Sequence, residues 1–352
     1  MKYWDANTID RIRKGYYSAA YFNRTKEILE KENEGTSVTM QIFQRNDDAV
    51  LCGVDEVIAL LKAGSGYWKG DKWTTRWKKL RVTSLCDGDT IKSKESVMHI
   101  SGPYVYFAHL ESLYLGILAR RTMVATNTRR VVEAASGKPV ICFSDRFDHF
   151  LNQEGDGYAA HLGGAMGVCT PAHASRWNGA PSGTIPHALI AVNGGNTVEA
   201  ALQFAKNFPD IPLISLVDYA NDCVGAALSV AKALKRRLWA VRLDTSSDVV
   251  DASITSRSPS VRGVTPELVQ NVRKVLNENG FSRVKIVVSG GFNPDKIRHF
   301  ERSNVPTDVY GVGSALLKGG NDFTADIVMV NGAHEAKLGR SYRTNSRFRQ
   351  IT

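Results

Sequence analysis

The chain has 352 residues, 43% of them hydrophobic, and a formal net charge of +10 at pH 7, so it holds enough apolar material for one large core or two ordinary ones. Its longest apolar runs, such as IPLISLV at 211–217, fall far short of the roughly 20 residues that span a bilayer. The N-terminal MKYWDANTIDRIRKGYY lacks the apolar segment of a secretory signal, which predicts a cytoplasmic protein with no membrane association.

The five cysteines, Cys52, Cys86, Cys142, Cys169 and Cys223, are scattered without a C-x-x-C pair, a pattern that excludes a disulfide framework and a zinc knuckle. Two basic clusters, KGDKWTTRWKKLR (69–81) and KLGRSYRTNSRFR (337–349), suit either nucleic acid or an enzyme that handles phosphates, and a solvated basic face is the plainer reading of each.

In chain order, SVTMQIFQRNDDAVLCGVDEVIALL (37–61) passes from strand-like alternation to a helical pattern, and YVYFAHLESLYLGILARRTMVATNTRRVVEAA (104–135) is largely helical. These features predict an N-terminal α+β sandwich domain over residues 1–125. VICFSDRFDHF (140–150) sets Phe143 three residues before Arg146, a ring to stack on and a guanidinium for an anion; a core Phe and a surface Arg are the structural alternative. SGTIPHALIA (182–191) places His187 and Thr184 in a small, hydroxyl-rich turn.

From about residue 196 helices and apolar strands alternate. NTVEAALQFAKNF, with Asn196 or Thr197 as N-cap, precedes the strand IPLISLVD; DCVGAALSVAKALKRR precedes LWAVRLD. TPELVQNVRKVLNENG, with Thr265 as cap, Pro266 at the first helical position and Gly280 as stop, precedes VKIVVSGG, and NPDKIRHFERSN precedes TDVYGVGSAL. Such units imply parallel strands joined by right-handed crossovers.

Asp218, Arg242 with Asp244, Ser289-Gly290-Gly291, and Gly311 with Gly313 fall at or just past the ends of successive strands. Convergence on one mouth favours an irregular, TIM-like α/β barrel over residues 126–321, although an open doubly wound sheet would also gather some of them. The tail, 322–352, is either disordered or packed on the N-terminal domain.

Arg242 and Asp244, two apart on a strand, face one side; they form either a salt bridge closing the barrel or a cation and carboxylate offered to a substrate, the Asp through a sugar hydroxyl or a metal-bound water. The two glycine turns read as a phosphate site, with Thr184 and Ser289 as further donors.

YFNRT (21–25), HLESLYLGILA, TNTRRVVEAASGKPVICFSDR, SGTIPHAL, LVDYAND, VRLDTSSD, VVSGGFNPDKI and YGVGS, in this order and spacing, resemble the nicotinate phosphoribosyltransferases, type II phosphoribosyltransferases of NAD biosynthesis. The resemblance covers most of the chain. It implies an N-terminal sandwich on an irregular barrel, and a homodimer with active sites shared between chains. The implied reaction joins nicotinate to phosphoribosyl pyrophosphate, giving nicotinate mononucleotide and pyrophosphate, with Mg²⁺ assisting and ATP hydrolysis coupled through a phosphohistidine. His187 then matches the phosphorylated histidine, and Phe143 and the partner chain's Tyr21 the aromatic pair around the pyridine ring. Arg146 and Arg242 match the basic lining, Asp244 the ribose-binding acid, Asp218 the acid of the LVD motif, and Gly290, Gly291, Gly311 and Gly313 the phosphate turns.

Departures from the family pattern cluster around the base. Gly167-Val168-Cys169-Thr170 stands where G-T-S-N is usual, and FSDRF where FGxRR is usual, bringing in Asp145 and Phe147. Relatives that use nicotinamide carry Asp where Cys169 sits, which leans the reading towards nicotinate. The alternatives are a related enzyme using nicotinamide or quinolinate, and a catalytically lapsed nucleotide- or nucleic-acid-binding protein, against which the intact SGTIPH and VRLDTSSD argue.

Overall fold

The computed structural model describes residues 3–32, 35–256 and 258–352. The chain divides into two compact units, Met1–Thr126 with Gly319–Thr352, and Asn127–Lys318. Among the described residues no helix is long and apolar enough to cross a membrane.

The first unit is built on a six-stranded sheet in the order Ala333–His334, Phe323–Val330, Ser37–Gln44, Ser96–Pro103, Arg81–Ser84, Arg349–Gln350. All its pairings are antiparallel, and Ile42 stands opposite Ala325 on one side and Met98 on the other. Alternation along Ser37–Gln44 sends Val38, Met40 and Ile42 into a core shared with Val57 and Leu61 of the helix Val54–Gly64 and with Tyr114 and Leu118. The tail contributes three of the strands, so this unit is closed by residues from both ends of the chain.

The second unit holds a six-stranded parallel sheet, ordered Leu213–Leu216, Leu238–Leu243, Lys285–Val288, Val309–Val312, Val140–Cys142, Gly167–Val168. Capped helices alternate with the strands because the caps are written locally. Asn196, Asp222, Thr265 and Asn293 each accept a hydrogen bond from the backbone N–H three residues on, and Pro266 and Pro294 open their helices.

The sheet curls without closing through strand pairing, and the gap lies between its edge strands. Residues 181–185 occupy that seam: Ser182 N–H donates to Val168 O at 2.7 Å on one edge, and Ile185 N–H to Ile214 O at 3.2 Å on the other. The irregular barrel expected from the sequence is therefore a curled sheet completed by a non-strand segment, the same SGTIPH turn that carries Thr184 and His187.

Candidate active site

Side chains inside the curl form layers because strand residues two apart share a face. Ile141, Ile214, Ala240, Val287 and Val309 make an apolar layer with Phe143 packed against it. One step towards the C-terminal ends come Phe143, Leu216, Arg242, Ser289 and Gly311. The next step brings Asp145, Asp218, Asp244 and Gly313. On three of the strands the curl thus changes from hydrocarbon to charge within two to four residues.

A cavity of about 360 Å³ opens there, with Phe143, Asp145, Arg146, Cys169, Thr184, His187, Arg242 and Asp244 among its lining. Arg242 organises it. Its Nε donates to Ser289 Oγ at 2.8 Å, Nη1 to Thr184 Oγ1 at 2.8 Å and Nη2 to Asp244 Oδ2 at 2.7 Å. Ser289 Oγ donates in turn to Asp244 Oδ1 at 2.7 Å. The guanidinium carbon sits 4.9 Å from the centre of the Phe143 ring, within the range of a cation–π contact. With side chains only 16% and 15% exposed, Arg242 and Asp244 form a desolvated pair whose remaining polar atoms are satisfied, the condition under which a buried ion pair is tolerated.

His187 is the first residue of the helix His187–Val192. Its Nε2 lies 3.2 Å from both carboxylate oxygens of Asp218. Asp218 is nearly fully buried while the imidazole is about half exposed. Burial pushes the Asp218 carboxyl above the usual range, and the neighbouring His187 partly restores it.

Cys169 and Asp145 share the opposite wall, where the thiol donates to Asp145 Oδ1 at 3.1 Å. Burial, followed by the adjacent carboxylate, drives the Cys169 pKa far up, so the thiol stays protonated and acts as a donor. Thr170 Oγ1 donates to Gln153 Oε1 at 3.0 Å, and Gln153 Nε2 donates to Asp145 O at 3.0 Å, bracing this wall. Arg146 lines the rim, exposed, with its guanidinium 5.8 Å from the Phe147 ring centre.

Gly290 and Gly291 have left-handed φ of +87° and +70°, and Gly290 lies against Asp244. For Gly311 and Gly313 the phosphate-turn reading meets a different cause. A Cβ on Gly311 would stand 2.4 Å from Phe143 Cε2, and one on Gly313 would stand 2.4 Å from Phe147 Cε2. These glycines are the floor over which two aromatic rings lie. Tyr21 belongs to the first unit, on the helix Ala20–Lys31, exposed and with its ring 4.4 Å from that of Phe22.

Sequence reasoning passed over Leu216, Ser182 and Gly183, which line the cavity; Leu216 was available from the period-two rule, two residues before Asp218. It also passed over Lys296, whose Nζ donates to Gly290 O at 3.3 Å and sits 4.3 Å from the Phe292 ring centre. Burial lowers the Lys296 pKa.

The metal role expected of Asp244 is one through a bridging water rather than direct ligation. Both carboxylate oxygens already accept short hydrogen bonds, and among the described residues no three His, Cys, Asp or Glu side chains converge to hold an ion.

A curled parallel sheet with cations, carboxylates and an aromatic floor at its C-terminal mouth, in a chain that also holds an antiparallel-sheet unit, defines the class as an α/β enzyme fold with its site at the strand ends. Comparison with known proteins narrows this. The N-terminal domain of quinolinate phosphoribosyl transferase is the family profile that matches, over residues 19–122. The crystal structure of nicotinate-nucleotide pyrophosphorylase from Pyrococcus furiosus superposes with a TM-score of 0.82 at 33% identity, covering 97% of this chain and 82% of that one. Human nicotinic acid phosphoribosyltransferase shares the fold, with a TM-score of 0.72 at 16% identity over 92% of this chain and 77% of that one. A nicotinate phosphoribosyltransferase of Mycobacterium tuberculosis is 28% identical over 253 residues, 70% of this chain and 52% of its own length. The chain spans about half the length of the curated relatives it matches. It belongs to the type II phosphoribosyltransferase family, together with the Pyrococcus furiosus nicotinate-nucleotide pyrophosphorylase.

Proposed function

We propose that the chain joins nicotinate to phosphoribosyl pyrophosphate, releasing pyrophosphate and forming nicotinate mononucleotide for NAD biosynthesis, with ATP hydrolysis coupled through His187. The observation that carries this reading is the Phe143–Arg242 pair. A flat ring under a fixed guanidinium, in a cavity that also contains Arg146 and the His187–Asp218 pair, suits a planar anion: the pyridine ring stacks and its carboxylate meets the cations.

In the transfer, the pyridine nitrogen attacks the anomeric carbon as the C–O bond to pyrophosphate breaks, through an oxocarbenium-like state. Alignment and charge neutralisation suffice, and no strong base is needed. Asp244, held by Arg242 and Ser289, would meet the ribose. Mg²⁺ enters as the counter-ion of the substrate's phosphates rather than in a cage of protein ligands. For ATP coupling, Asp218 takes the Nε2 side of His187 and leaves Nδ1 with the lone pair that would attack the γ-phosphoryl group, with ADP leaving.

A specific feature favours a second base. Asp145 brings a carboxylate to the wall beside Cys169, an acceptor suited to the amide of nicotinamide. One experiment separates the readings: pyrophosphate release from phosphoribosyl pyrophosphate and Mg²⁺ with nicotinate, nicotinamide or quinolinate, each with and without ATP, in the parent and in His187→Ala. The proposal expects release with nicotinate that ATP enhances, and a His187→Ala protein that keeps phosphoribosyl pyrophosphate binding but loses base-independent ATP hydrolysis. Unchanged ATP hydrolysis in that variant removes His187 from the role. Preference for nicotinamide moves the reading to Asp145. Release with none of the three, together with salt-dependent binding of nucleic acid, returns the lapsed binding protein.

A further inference from the structure

The basic cluster in the tail has no part in the reaction above, yet it is built into a pocket on the first unit. Along Ser37–Gln44, Met40 and Ile42 face the core, and Gln41 and Phe43 face the other side of the sheet, where the tail crosses them. Gln41, only 3% exposed, fixes that crossing: its Oε1 accepts from the Arg343 N–H at 2.8 Å, and its Nε2 donates to Ser341 O at 3.1 Å.

Four cations surround the result. Arg45 and Arg340 place their guanidinium carbons 5.7 and 5.5 Å from the centre of the Phe43 ring, and Arg343 Nη1 donates to Lys94 O at 3.0 Å. These four line a cavity of about 60 Å³ whose lining includes no carboxylate. Arg340 is paired with Asp326 at 2.5 Å. Arg45, Lys94 and Arg343 have no carboxylate within ion-pair distance among the described residues, and Arg45 Nη1 donates instead to Thr324 Oγ1 at 2.9 Å.

We infer that this pocket is a second anion site, separate from the candidate active site, that takes a phosphate oxyanion. Free surface cations rotate apart to lower their repulsion; here the Phe43 ring, Thr324 and the Lys94 carbonyl hold the guanidiniums of Arg45, Arg340 and Arg343 around one small space, two of them without a carboxylate. Guanidinium forks match the geometry of a tetrahedral oxyanion. A buried water needs at least about 10–15 Å³ by the same measure, so the cavity admits one phosphate group and leaves any attached nucleoside outside. The anion is therefore inorganic phosphate, or the end group of a phosphorylated metabolite, and its binding would clamp the tail to the sheet.

The test is hydrogen–deuterium exchange on the full chain, read in peptides covering 41–45 and 339–345, with inorganic phosphate, pyrophosphate or AMP against sodium chloride at matched ionic strength. A phosphate site slows exchange there by about tenfold at ten times the half-saturating concentration, if opening releases the anion. Chloride does not slow it, and Arg45→Gln and Arg343→Gln, each made separately and checked by melting, abolish the effect. Reading these peptides alone separates the pocket from phosphate binding at the barrel mouth. Half-saturation at lower AMP than phosphate identifies a metabolite end group, and the reverse order a free anion. No protection by any of the three, equal protection by chloride, or protection that survives in both variants overturns the inference.

Discussion

Arg242 is an always-charged side chain with three edges committed inside the protein, to Ser289, Thr184 and Asp244. A lysine at that position keeps the charge but has no fork with which to hold three partners. Arg242→Lys is expected to lower kcat/KM for the proposed transfer by about 10²-fold, since Asp244 and Phe143 lose their common anchor. It should cost about 1–3 kcal/mol of stability through buried acceptors left unmet; steady-state kinetics and denaturant melts of the two proteins check both parts. The pairing of Arg242 with Asp244 was legible because both lie on one strand with period two. Its bonds to Ser289 and Thr184 were not, since those residues are 47 and 58 positions away and only the curl of the sheet brings them together. His187 next to Asp218 belongs to the same class: each stood out singly, and their contact is tertiary.

Elements with local signatures were readable to within a residue or two. Thr265, Pro266 and Gly280 bracket a helix observed over Pro266–Glu278, and the apolar runs at 213–216, 238–243, 285–288 and 309–312 are the strands. The seam at 181–185 was not readable, because its small polar residues have no periodicity and its role comes from the two edge strands it joins. Gly311 shows the same limit, since its cause is a ring from another strand. Its backbone is not in the left-handed region, so an alanine is acceptable to the strand itself and harmful only to Phe143. Gly311→Ala is expected to displace that ring, raise KM for the base and cost about 1–3 kcal/mol, as overpacking does. Adding Phe143→Ala should make the stability losses clearly less than additive, which a double-mutant cycle by thermal melting would measure. Additive losses would mean the glycine is needed for another reason.

At the scale of the whole molecule, the first unit pairs strands nearly three hundred residues apart, Phe323–Val330 with Ser37–Gln44, and no local pattern announces such a pairing. Burial within this unit, with Asp326 nearby, raises the Glu111 carboxyl to about 7. A raised carboxyl favours the folded state below its unfolded pKa, and that contribution is lost as pH rises through about 7. The melting midpoint should therefore fall more between pH 5 and pH 8 in the parent than in Glu111→Gln, as calorimetry of both proteins would show. Tyr21, 63% exposed in this same unit, carries the proposal that active sites are shared across a dimer. If the site uses one chain's Tyr21 with the other's Asp244, then Tyr21→Ala and Asp244→Ala chains are each inactive alone, but a mixed dimer contains one site with both residues intact. Random pairing of equal amounts makes half the dimers mixed, and one site in two is whole in each, so about one quarter of parental activity should return. Native mass spectrometry would establish the mixed population before the assay. Activity no greater than the two variants give separately, with mixed dimers present, would place each base site within a single chain.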